Sequence, residues 1–315
     1  EAEQWDGLDA LINNANVIDL EGQPLQEADI EEASNLVIEN YGYPTDMFLG
    51  TRAMSDLVKT FYPRERVNMP APSEGKVGLS VTSMATQAGT IEFNPDVFLR
   101  QGKQPPAAAT SANAPVTPGT VATAVSAAAN QGSWAKSIGA AAGNFGYAVT
   151  ACNRFGESAP RFDGGGVQAL SAAENADNRS IDITVTNPAA IGANAPEYFI
   201  IYRTRPLAAG AALPTDLSQY SEIARFAATT QTAGPGAAGT QTAQADRNAI
   251  MPFTETAYLG ELTPSVLTFR QLAPLMRMDL AVLAPAYRWM IMMYGTPILF
   301  APRKWVRLTN VGRLA

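Results

Sequence analysis

The chain has no histidine and only one cysteine, Cys152. Histidine is the usual general base, so its absence removes Ser-His-Asp and Cys-His catalysis. It also removes histidine-ligated zinc, and one cysteine can build neither a Cys-rich zinc site nor an intrachain disulfide. Cys152 falls inside an alternating apolar run, the setting of a buried structural thiol rather than a nucleophile. Charge is scarce as well: Asp, Glu, Lys and Arg make up 16% of 315 residues, against a usual quarter. Such a surface relies on uncharged polar groups or on cover by neighbours. No apolar stretch approaches the ~18 residues a membrane helix needs. Neither a signal peptide nor a phosphate-binding GxxxxGK[ST] sequence is present. The chain opens at Glu1 rather than Met, leaving processing, truncation or an unseen leader open.

The net charge of −7 argues against a sequence-reading nucleic-acid binder, which needs a basic face, but not against a container for nucleic acid. The charge is unevenly placed. Residues 1–101 carry 17 acidic and 6 basic side chains, 102–253 balance, and 254–315 carry 3 acidic and 7 basic. Ends of opposite sign are expected to meet, within a subunit or across two. Hydrophobic residues make up 46%, enough for a real core, and the length favours two domains.

"QWDGLDALI" (Gln4–Ile12) can form a short helix with Leu8, Leu11 and Ile12 on one face. Glu27–Asn40 reads as an amphipathic helix: Ile30, Ala33 and Val37 recur on one face, and Glu27, Asp29, Glu31 and Glu32 suit its N-terminal dipole. That placement explains the carboxylates better than a metal site does. "YGYP" (Tyr41–Pro44) ends the helix and "TDMFLG" is a short strand. Thr51–Phe61 repeats the helical pattern, with Pro63 expected to stop it. "VGLSVTSM" and "GTIEFNPDVFL" then read as strands about a "TQAG" turn, giving an α+β pattern.

At residue 103 the composition turns Pro/Ala/Thr-rich to residue 120, a linker signature. Beyond it come β-type runs at Phe145–Asn153, Ser180–Asn187, Glu197–Arg205 and Ser221–Thr229, and then a second low-complexity stretch at 230–249. Short alternating strands between polar turns predict a β-sandwich. Gly234, Gly236 and Gly239 spell GxGxxG but lack the strand and helix that a dinucleotide site needs. Gly164–Gly166 reads as a loop, and the sequon at Asn178 carries no weight outside a secretory route. Nothing singles out a pair of catalytic carboxylates. These absences together predict a structural protein, not an enzyme, without metal or cofactor.

Near the C-terminus, "RWMIMMY" (Arg288–Tyr294) is apolar at both parities after Arg288, and "ILFA" follows a "GTP" turn signal at Gly295–Pro297. This pattern predicts a central hairpin covered on both faces, with Pro302 confined to a bulge or an edge. The closing segment "LAP…RWMIMMYGTPILFAPRKWVRLTNV", with "YGYPTDMFLGTRAMSDLVKTFYPRERV" and "VTSMATQAGTIEFNPDVFL", resembles tailed-bacteriophage major capsid proteins of the Hong Kong 97 type. Between them, "GYAVTACNRFGESAP" resembles the sixth strand of fibronectin type III and related immunoglobulin-like modules. "EYFIIYRT" resembles their third, in reversed chain order.

The resemblance implies an α+β Hong Kong 97-type fold carrying an inserted all-β immunoglobulin-like sandwich. Residues 1–102 and 251–315 would form the host and residues 103–250 the insert with its linkers. It implies self-assembly into hexamers and pentamers of an icosahedral virion shell around double-stranded DNA contacted non-specifically. Portal, and decoration or scaffolding, proteins are the further partners implied, and no membrane is. Relative to the family, the arm, extended loop and long helix that precede the central domain are either shortened or absent with the start of the chain, or the 27–40 helix plays the long-helix role. Arg303 and Lys304, in the basic C-terminal run, are the candidate subunit-interface residues, expected to face acidic groups of a neighbour. The alternative is a bacterial surface or adhesion protein with a fibronectin-like binding module, which particle size separates from a shell protein.

Overall fold

The computed structural model describes residues 7–12, 16–65, 81–99, 102–187, 194–228, 241–279 and 289–314. Gly234, Gly236, Gly239, Arg288 and the opening of the strand expected from Val77 lie outside them. The chain divides into two compact units, the first 1–20, 24–99 and 256–309, the second 21–23, 100–255 and 310–315. Helices and many strands together give an α+β composition.

The first unit is organised by a six-stranded sheet. In chain order its strands are β1 (Val17–Asp19), β2 (Asp46–Gly50), β3 (Ser83–Thr86), β4 (Gly89–Asp96), β15 (Glu255–Gly260) and β18 (Trp305–Val311), lying side by side as β1-β18-β15-β2-β4-β3. β1 runs parallel to β18 and β2 parallel to β4; β15 is antiparallel to β2 and β3 to β4. Three helices accompany it: α1 (Leu8–Leu11), α2 (Glu27–Glu39) and α3 (Thr51–Glu65). α2 buries the expected Ile30, Ala33 and Val37, with Ser34 made tolerable there by its hydroxyl bonding the Ile30 carbonyl at 2.7 Å. α3 runs past Pro63, which removes only one bond in the last turn and therefore does not end the helix.

Both faces of this sheet are covered. Trp305 joins Ile12, Tyr258 and Val266 in one cluster, with Phe48 stacked at 6.2 Å; Met47, Leu49, Leu259, Val306 and Leu308, of the opposite parity, are fully buried. The doubly covered strand is thus Trp305–Val311. The opposite-signed ends of the chain meet here, since Arg307 pairs with Asp9 at 2.7 Å.

The expected central hairpin is different in the structure. β16 (Leu267–Asp279) pairs with β17 (Trp289–Leu299) as a separate two-stranded ribbon, and Gly295–Pro297 lies inside β17 rather than turning the chain. Gly295 serves close packing: a Cβ there would meet the Phe269 ring at 2.6 Å. Pro302 opens a short 3₁₀ turn, Pro302–Lys304, at the first helical position, where its missing N–H costs nothing.

The second unit holds two facing sheets. One is β14 (Gln241–Asp246), β11 (Ile181–Thr186) and β5 (Val121–Val125); the other is β13 (Tyr220–Ala227), β12 (Tyr198–Thr204), β7 (Tyr147–Asn153) and β8 (Gly156–Glu157), with β9 (Arg161–Phe162) also on β7. β6 (Gly143–Phe145) and β10 (Gln168–Leu170) form a small pair. Val121, Ile181, Ile183 and Val185 from the first sheet pack into one cluster with Val149, Ala151, Phe199, Ile201 and Ile223 from the second, which is a β-sandwich core. The strict alternation of β11 places Ile181, Ile183 and Val185 inside, as its sequence requires.

Residues 102–120 carry no regular structure, yet Pro105, Ala114, Pro115 and Pro118 are buried and Thr110 exchanges hydrogen bonds with Glu157. Of the second low-complexity stretch, Gln241–Asp246 is a strand, held by its backbone ladder to β11. β7 and β12 are also covered on their outer face, where Ala148, Cys152, Ile200, Tyr202 and Tyr220 cluster.

Candidate assembly surfaces

α2 ends in a paired-carbonyl cap. The Tyr41 N–H bonds the Ile38 carbonyl at 2.8 Å and the Gly42 N–H bonds the Val37 carbonyl at 3.0 Å. The residue after the C-cap in this arrangement takes a left-handed backbone and is usually glycine; here it is Tyr41, at φ +60°. Its ring is 92% exposed and that of Tyr43, two residues on, 73%. Gly42 lies so close to α2 that a Cβ would meet Val37 Cγ1 at 2.8 Å. The Tyr43 N–H donates to Glu261 Oε2 at 3.2 Å. The knuckle Tyr41–Tyr43 is therefore rigid and holds two aromatic rings in solvent, near the exposed apolar Ile38 and Leu262.

The expected interface residues lie beside it. Lys304 donates to Glu261 at 2.9 Å, so its charge is matched within its own chain. Glu261 is buried, which by itself would raise its pKa. The bonds from Lys304, the Tyr43 N–H and the Thr263 hydroxyl outweigh burial and hold the carboxyl below its usual range. Arg303, on the same 3₁₀ turn, is exposed.

The β16–β17 ribbon is the second surface. Directly opposed residues of an antiparallel pair share a face. Met276 opposes Met292 and Met278 opposes Met290, so four methionines line one face near its far end. The opposed pairs Arg277–Ile291 and Asp279–Trp289 alternate with them on the other face, where Arg277 stacks 5.3 Å from the Trp289 ring and pairs with Asp279 at 3.1 Å. Leu272 is 90% exposed and Leu275 64%, and Trp289, Ile291 and Tyr294 are half exposed. An isolated two-stranded ribbon is marginal in water, so apolar exposure on this scale marks a surface made for cover.

The second unit holds two buried polar networks. Arg203 is fully buried, bonded to Asp246 at 2.6 Å and to Asn248 at 2.5 Å, and lies 4.9 Å over the Trp134 ring. The Tyr147 hydroxyl donates to Asp246 at 2.9 Å. Burial first, and then the Asp246 charge, push the Tyr147 phenol far above its ordinary range, so it stays a neutral donor. On the outer face, Glu157 accepts from Thr150 at 2.7 Å and Tyr202 at 2.5 Å and pairs with Lys103. Cys152 beside it is buried, and burial, followed by the Glu157 charge, pushes its thiol up to about 11, which leaves no useful thiolate at neutral pH. An open groove of about 420 Å³ borders this cluster, with Cys152 and Glu157 in its lining. No group of three or more metal-ligating side chains occurs among the described residues.

The sequence pattern points to Arg303 and Lys304 and not to the tyrosine knuckle or the methionine face. The first had a legible signal, a tyrosine just past a helix end with the glycine displaced by one. The second was visible as Met276–Met278 and Met290–Met292 spaced by two, once the pairing was known.

Residues 1–135 match the family model of the SU10 major capsid protein. Along 99% of its length the chain is 28% identical to a protein of Enterococcus phage phiEF24C named, provisionally, as a major capsid protein, covering 62% of that protein. It is 25% identical along its whole length to the major capsid protein of Staphylococcus phage K, covering 63% of it, and equally similar to that of Staphylococcus phage S25-3. The chain thus spans a little over three-fifths of the relatives it matches. These similarities support a phage major capsid protein.

Proposed function

We propose that this chain acts as shell-forming material of a tailed-phage head. It would have a Hong Kong 97-type host fold, tile as hexamers and pentamers of an icosahedral shell around double-stranded DNA, and meet portal and scaffolding or decoration proteins there. The observation that carries the reading is similarity running the whole length of the chain to proteins named as major capsid proteins. The exposed knuckle and ribbon support it, since a subunit that tiles must display uncovered apolar surface on more than one side. Host-cell cytoplasm as the place of assembly, and the virion as destination, follow from the same reading. So does a non-catalytic role.

In this reading the second unit is an immunoglobulin-like module inserted at 103–250. Its chain enters and leaves side by side: a side chain at Gly102 would run into the Ser221 hydroxyl and lie 3.1 Å from Phe253 Cα. The Lys103 carbonyl accepts from Glu222 N–H, and Phe253 N–H donates to the Ser221 hydroxyl, so both ends are tied to β13. An insert joined at neighbouring points leaves its host's path intact. Sedimentation and negative-stain imaging of purified protein test the function. Rings or shells are expected, and a species that stays monomeric at micromolar concentration across ionic strengths would refute it.

A further inference from the structure

Beside α2 lie a projection and a hollow, at its two ends. The projection is the Tyr41–Tyr43 knuckle with exposed Arg303 nearby. The hollow is a groove of about 560 Å³ between the start of α2 (Gln26, Glu27, Ala28, Glu31), Thr60 of α3, and the β3–β4 turn, Ala85–Gln87. A 13-residue helix separates the two by ~20 Å. We propose that the knuckle of one copy docks into this groove on the next copy, so that subunits join head to tail. The inference rests on the capsid reading and names the surfaces that would carry it.

Three observations on the molecule favour a second copy as the occupant. The first is strain. A non-glycine residue in the left-handed region is disfavoured, and here the tyrosine displaces glycine from the position that prefers it while its ring contributes nothing to its own core. Strain kept for a fully exposed ring is accounted for when the ring is used between molecules. Rigid tyrosines lose little freedom on docking, which is why they serve as interface anchors.

The second is charge. The first half of α2 contains Glu27, Asp29, Glu31 and Glu32, and the helix has no basic residue; Glu39 lies at the knuckle end. The groove end presents Glu27 and Glu31, the latter accepting the Gln87 N–H at 3.3 Å. Tyrosine hydroxyls and the Arg303 guanidinium are donors suited to such carboxylates. Donors on one copy that meet carboxylates on the next set the partner and the register. The third is geometry. Projection and hollow are different patches, so the contact is heterologous, and repeated it closes a ring or extends a filament rather than stopping at a pair.

The experiment uses the full 315-residue chain. Tyr41→Gly should raise the melting temperature of the unassembled protein by a few degrees, because it relieves the backbone, while the concentration needed for assembly rises at least tenfold. A merely structural tyrosine would not give opposite signs. Tyr43→Cys with Glu31→Cys, oxidised under assembly conditions, should yield a ladder of disulfide-linked multimers. Mixing the two single variants should give a cross-linked heterodimer. Wild-type-like assembly by Tyr41→Gly, or cross-links only between like cysteines, overturns this contact while leaving the capsid reading intact. A wild-type chain that never assembles removes both.

Discussion

Removing one partner of the buried Arg203–Asp246 pair should nearly unfold the sandwich, whereas removing both should not. Arg203 sits at 0% exposure with its guanidinium held by Asp246 at 2.6 Å and Asn248 at 2.5 Å, and Asp246 also receives the Tyr147 hydroxyl. In Asp246→Ala the arginine keeps its charge in a site without its counter-ion, which costs ~3–5 kcal/mol. The orphaned Tyr147 hydroxyl adds ~1 kcal/mol. Together this is a large part of the ~5–15 kcal/mol that holds a domain. With a urea dependence of ~2 kcal/mol per molar, the midpoint should fall by ~2–3 M. The double variant Arg203→Met with Asp246→Leu takes the charge away as well and should recover most of that loss. The assay is a urea melt read by circular dichroism alongside thiol accessibility of Cys152, which reports on the second unit. A cost below ~1 kcal/mol for Asp246→Ala, or a double variant as damaged as the single, would refute the account of the network.

The thiol of Cys152 should resist aromatic disulfide reagents at pH 8 and label only as fast as the sandwich opens; instantaneous labelling of native protein would show the outer face is not closed. Its raised pKa leaves stability unaffected below the ordinary thiol range and erodes it as pH rises from there towards about 11, a slope that Cys152→Ser should lack. For Glu261 the sign is opposite. Its lowered pKa contributes stability above the ordinary carboxylate range, lost as acid titrates the group through its folded value. Glu261→Gln should flatten that part of the acid melt, and an unchanged acid slope would contradict it. Ile291→Asp lies on an exposed stretch of the ribbon and should shift monomer stability by no more than ~0.5 kcal/mol, so an insoluble monomer would restore the covered-strand expectation. Gly260→Ala drives a methyl into the Trp305 indole and should cost ~1–3 kcal/mol by overpacking, read as a lowered melt.

What could be read from residues was what local pattern alone decides. α2 and β11 show their buried faces as plain periodicity, and both emerged as expected. The closing hairpin did not, because an apolar run at both parities shows that a strand wants cover and not that its own chain supplies it. Trp289–Tyr294 is such a run and stands exposed. Trp305–Val311 is the strand buried on both faces, yet its Arg307, Thr309 and Asn310 disguise it. Arg307 and Asn310 are held by particular long-range partners, Asp9 for Arg307 and the Met251 N–H and Ala249 carbonyl for Asn310. No local pattern announces these. Low complexity misled in the same way at Gln241–Asp246, where small polar residues can still complete an edge because the ladder needs backbone, not side chains. The tyrosine knuckle needed the cap geometry before its strain could be seen.

The tie of Lys103 and Phe253 to Glu222 and Ser221 also decides how the second unit responds to force. A pull applied through the chain on either side reaches this crossing first. The crossing acts as a clasp, and the sheets beyond it carry no tension until it opens. Force applied at residues 102 and 253 is passed between them through Ser221 and Glu222 of β13 before it reaches the other strands of the sandwich.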